Sequence, residues 1–146
     1  MNNSLTIEHQ SAAYGTLVLR VALGSVMIAH ALLKLFVFTL PGTAQFFEAH
    51  GFPGWSAYPV FGLELIGGTL LVSGFLTRWV ALGLIPVMFG ALMVHWANGW
   101  MFAAPGGGWE FIAFLIAALV AQAGLGDGAL SVGNVIFKRQ DVQFAR

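Results

Sequence analysis

Four apolar runs, broken only by short polar stretches, fix what this chain can fold into. They fall at residues 14–37, 57–76, 79–97 and 109–124. An α-helix needs about 20 mostly apolar residues to cross the hydrocarbon core of a bilayer. Backbone inside lipid must satisfy its own hydrogen bonds, so each run reads as a helix. A soluble fold is excluded by surface chemistry. Only 8% of the residues are charged and 58% are hydrophobic, against roughly 25% charged in soluble domains. The expectation is an all-α integral membrane protein: four transmembrane helices in one bundle spanning residues 14–132. It is flanked by a cytoplasmic segment at 1–13 and a polar cytoplasmic tail at 133–146.

The connections differ in kind. "LTRW" at 76–79 is a tight turn with Arg78 in it. Between the first two runs, Pro41, Gly42, Pro53 and Gly54 bracket "TAQFFEAH". That segment suits a short interfacial helix with Phe46 and Phe47 turned to lipid. The loop "NGWMFAAPGGG" joins the last two runs, with Trp96, Trp100 and Trp109 around it as an aromatic belt would be. Four spans put both termini on one side. Arg78, Lys138, Arg139 and Arg146 fall there, with Arg20 nearest to it, while Lys34 alone lies toward the other. The positive-inside rule then places both termini in the cytoplasm.

Net charge is zero, which gives no reason to expect nucleic acid. The chain has no cysteine, so disulfides, thiolate clusters and a thiol nucleophile are excluded. No cleavable signal is evident, because the first residues lack a basic region and the first apolar run is long enough to remain a helix.

Glu64 is the residue this pattern does not absorb, because it sits inside the second run. A helical rise of 1.5 Å puts it ~10 Å in from the outer end of its span, and His30 ~10 Å in from that of the first. Lys34, His95 and Glu110 lie within one turn of the same boundary. Arg20, Met27, His30 and Lys34 share an arc of about 80° on the first helix. Glu64 shares a face with Gly67, Gly68 and Leu71, and Glu110 with Ala113, Ala117 and Ala121. Small residues at such spacings let helices approach closely, so both acids are expected on packed faces. A lipid-facing charge at that depth costs several kcal/mol, which favours the same reading. The plain alternative is structural: Glu64 bonded to His30 or paired with Lys34 to fix register, Arg20 and Lys34 snorkelling, and the tryptophans serving as belt only.

"HALLK" at 30–34, "ELIGGTLLVSGFLTR" at 64–78, the "H…GGGWE" pattern from His95 to Glu110 and "GLGDGALSV" at 124–132 resemble the DoxX family of small bacterial four-helix membrane proteins. Ala31 departs from the pattern, since the family usually has Gly after the His. The resemblance implies an integral membrane bundle connected with quinone-linked oxidoreduction. Some relatives are subunits of thiosulfate:quinone oxidoreductase and others belong to complexes that handle oxidative stress. It places Glu64, Arg78, His95 and Glu110 on recurring positions.

The chain carries no evident redox centre of its own. Only histidines are available for haem, and a metal set of His30, Glu64, His95 and Glu110 is conceivable, but neither is expected. A bound quinone or quinol fits better. Glu64 would exchange protons and His95 would act with it. His30, Lys34, Trp96 and Glu110 would contact the ligand, Phe89, Trp96 and Phe111 would stack on its ring, and a His would donate to a quinone oxygen. Arg20, Gly67, Gly68 and Arg78 read as structural. A non-catalytic anchor for redox or oxidative-stress partner proteins is the alternative, and a small-solute or proton-coupled carrier, as a homo-oligomer, is a third.

Overall fold

The computed structural model describes residues 2–136, with side chains from residue 7. The basic tail residues Lys138, Arg139 and Arg146 lie outside the described residues. Among the described residues the bundle is built from α1 (Asn2–Leu32), α2 (Leu40–Ala49), α3 (Ala57–Ser73), α4 (Thr77–His95) and α5 (Glu110–Leu125). A π-helical turn, Leu33–Val37, continues α1. The expected segment at 1–13 is therefore helical from residue 2 and continuous with the first span. Three helical stretches are long and apolar enough to cross a membrane: Ile7–Val37, Gly54–Ser73 and Thr77–Asn98. The fourth, α5, has 16 residues, about 24 Å of rise.

The bundle is built from two pairs, α1 on α3 and α4 on α5. The first pair crosses at glycine. A Cβ on Gly24 would lie 2.6 Å from the Gly68 carbonyl oxygen, and one on Gly68 would lie 2.7 Å from that of Gly24. Both obstacles are backbone and cannot swing aside. Glu64, Gly67, Gly68 and Leu71 are all buried, as their shared face requires. The second pair behaves differently from the sequence expectation. Ala117 and Ala121 are exposed, and α5 packs through Leu115, Ala118, Leu119 and Gln122 instead. Apart from Ala118, bulkier groups form that seam, while Ala117 and Ala121 face outward. Leu23, Met27, Leu71, Leu84, Leu115 and Leu119 fill the centre between the pairs.

A polar knot closes one end. Arg20 is fully buried there. Its guanidinium donates to the carbonyls of Asp127, Ala129 and Leu130 at 2.5, 3.3 and 3.2 Å. The Asp127 carboxylate accepts from the Thr77 N–H at the start of α4 (3.2 Å). The Ala129 N–H donates to Ala13 O at 2.9 Å and the Gly133 N–H to Gly74 O at 3.0 Å. The chain leaving α5 is thereby fastened to α1 and to the α3–α4 turn. Arg78, by contrast, is exposed at this end.

Candidate functional site

The opposite half of the bundle carries the other ionic groups. Where α1 ends, the π turn widens the helix by one residue, and Phe38 N–H reaches Leu33 O at 3.0 Å. Such turns are rare and recur where a helix must re-aim a side chain. Here the turn carries Lys34. Its ammonium donates to both oxygens of Glu64, at 2.8 and 2.7 Å. The two side chains keep only 15% and 4% of their surface exposed, so water screens the pair little.

Glu64 and Lys34 form part of the wall of a cavity of about 830 Å³ between the two helix pairs. His30 and His95 line the same space, as do Met88, Phe111 and Leu115. The void has a local cause. Pro86, Gly90 and Ala91 line it from α4, and proline and small residues send nothing long into the gap. Its volume lies within the roughly 300–1,000 Å³ of ordinary ligand sites.

The short helix α2 forms a further wall. Thr39 begins it with φ 62°, its hydroxyl accepting from the Gly42 N–H at 3.2 Å, and Pro41 stands in the first turn. A β-branched residue in that backbone region is strained. The strain falls at the corner beside Phe38, which also lines the cavity. Phe46 and Phe47, expected to face lipid, both line the cavity. Phe47 is half-buried and Phe46 keeps 46% exposure at the edge. The sequence gives α2 amphipathic character but not the direction in which it folds back.

Both imidazoles are oriented by backbone. His30 Nδ1 lies 2.8 Å from Val26 O. His95 Nδ1 lies 3.0 Å from both Gly106 O and Gly107 O. A carbonyl oxygen only accepts, so each Nδ1 carries the hydrogen and the neutral ring keeps a bare lone pair on Nε2. Asn98, which sequence reasoning missed, donates its Nδ2 to the same two carbonyls at 3.1 and 2.9 Å. Gly106 and Gly107 sit at φ 82° and 77°, which lets two successive carbonyls turn to one side. The "PGGG" run is therefore a clamp for His95 and Asn98. The expectation that a neutral His would donate to a ligand oxygen meets a different arrangement, because both N–H groups are already engaged.

Glu110 and Trp96 stand outside the cavity lining. The Glu110 carboxylate accepts from the Phe102 N–H at 2.7 Å and pins the loop to the start of α5. Trp96 stacks on Trp109 with centroids 4.9 Å apart, and Trp100 meets Trp109 edge-on at 4.5 Å. Phe89 is 46% exposed and does not line the cavity either. The four residues His30, Glu64, His95 and Glu110 do not converge on one point. Among the described residues no group of three or more His, Asp or Glu side chains is placed to share a metal ion.

A family model described as DoxX matches residues 15–96, more than half of the chain. The match ends before the glycine clamp and α5. A protein of Bacillus subtilis (strain 168) named "Putative oxidoreductase CatD" is 38% identical over 85 residues, 58% of this chain and 62% of that protein. The chain therefore spans less than two thirds of that relative's length. No solved structure matches the chain.

Proposed function

The chain belongs to the DoxX family, and on that premise we propose that it is an integral membrane component of quinone-linked oxidoreduction whose cavity receives a quinone-type ring. The observation that carries this reading is convergence. One buried ion pair and two imidazoles from three spans meet a mostly apolar space of about 830 Å³. An apolar pocket with a few placed polar groups is the form that ligand sites take. Phe111 and Phe47 suit a ring, and the surrounding bilayer suits a tail. A quinone that takes up two electrons also takes up two protons. In this reading the electrons come from a partner redox protein. The Glu64–Lys34 pair is the group at the cavity wall able to hold and pass a proton. The oxidoreductase name of the B. subtilis relative agrees with this role. The setting is a bacterial inner membrane with both termini cytoplasmic.

The test is mild-detergent purification followed by solvent extraction, alongside Glu64→Gln and Glu64→Leu. The expected result is quinone recovered from wild type, with Glu64→Gln folded but impaired in quinone-linked activity. Redox proteins that co-purify without any quinone would instead make the chain an anchor. Proton or solute flux in liposomes would make it a carrier. A Glu64→Gln variant that melts like wild type and keeps full activity would leave Glu64 a purely structural partner of Lys34.

A further inference from the structure

The hydrogen-bond polarity of the cavity distinguishes the two redox forms of such a ligand. Each imidazole N–H is consumed by backbone, His30 by Val26 O and His95 by Gly106 O and Gly107 O. What each neutral ring has left for the cavity is the opposite edge, where Nε2 carries a lone pair and no hydrogen. Neither Nε2 has a hydrogen-bond partner among the described residues, and His30 lies within electrostatic reach of the Glu64 carboxylate. Glu64 adds carboxylate lone pairs, and of the three Lys34 hydrogens two are already directed at Glu64. The site thus offers several acceptors and one free donor. A quinone oxygen only accepts. Bound there, it would use the Lys34 donor and leave both Nε2 lone pairs against an apolar ring. A hydroquinone hydroxyl donates as well as accepts, so it satisfies an imidazole and Lys34 alike. An acceptor left unpaired on binding is penalised far more than a missing methylene.

We infer that the cavity is built for the reduced, hydroxyl-bearing form of its ligand, a hydroquinone that donates an O–H to Nε2 of His95 or His30. This rests on the reading of the cavity as a quinone-type site and concerns binding alone.

The full chain in detergent, kept anaerobic at pH 8, is titrated with a short-tailed hydroquinone, its quinone and its dimethyl ether, with tryptophan fluorescence or calorimetry as the readout. The hydroquinone should bind roughly tenfold or more tightly than the quinone, and the ether, which has oxygens but no O–H, should bind no better than the quinone. His95→Phe, checked for folding by its melting curve, should weaken hydroquinone binding more than quinone binding and so shrink that preference. Quinone binding equal to or tighter than hydroquinone binding overturns the inference and leaves the quinone-site reading standing. So does an ether that binds as well as the hydroquinone. If none of the three binds, both readings fall together.

Discussion

Replacing Gly68 by alanine tests how the ionic site depends on helix packing one turn away from it. A methyl group on Gly68 would sit 2.7 Å from Gly24 O, 2.9 Å from Ile28 Cγ1 and 3.0 Å from Ile28 N. Two of these three atoms are backbone, so rotamer changes relieve only one contact. Ordinary carbon–oxygen contact needs about 3.4 Å, so α1 and α3 must part by roughly 0.7 Å at the crossing. Overpacking of this kind costs about 1–3 kcal/mol. For a chain of this length that is a melting shift of roughly 2–4 °C per kcal/mol. The displacement also reaches the site, because Lys34 rides on α1 and Glu64 on α3 and they meet at 2.7 Å. Gly83→Ala is the control. A Cβ there has nothing within 4 Å, and alanine is the better helix former by about 1 kcal/mol. Detergent melting curves of both variants decide the matter, with quinone-linked activity as the second readout. Gly68→Ala should melt several degrees lower with reduced activity, and Gly83→Ala should melt at or above wild type. If both variants melt alike, the glycine crossing does not set the α1–α3 distance and the packing argument fails.

At the polar knot, Arg20→Met removes every donor to three carbonyls. It should destabilise the fold by at least ~2 kcal/mol and expose the chain after α5 to protease. Arg20→Lys should fall between, because an ammonium cannot reproduce the planar fork, and Arg20→Met melting like wild type would make the knot decorative. For topology, a reporter fused after Arg146 should read as cytoplasmic and one inserted in the 102–107 loop as periplasmic. The reverse result would invert the side on which the cavity opens.

Much of this was legible in the sequence, because lipid narrows the choice of fold to helices. The apolar runs located the spans. The face shared by Glu64, Gly67, Gly68 and Leu71 identified the buried side of α3, since helical periodicity orders residues around an axis. Periodicity does not say which partner a face meets. Ala117 and Ala121 have the spacing of a packing seam, yet α5 packs through another side. The π turn under Lys34 breaks the helical period itself and leaves no compositional trace. The direction of the His30 and His95 N–H groups depends on backbone carbonyls, which every residue possesses and no sequence marks. Asn98 was hidden for the same reason, its partners being main-chain oxygens of two glycines.

The partners of Arg20 stand 107 to 110 positions further along the chain. At synthesis rates of about 5–20 residues per second, that separation lasts roughly 5–20 seconds. For that interval the carbonyls that will receive the Arg20 guanidinium do not yet exist. The side chain must meanwhile reach toward the headgroup layer, as the long arginine stem allows. The first span is thus delivered to the membrane with its charge still in water, and the bundle seals only when the last segment arrives.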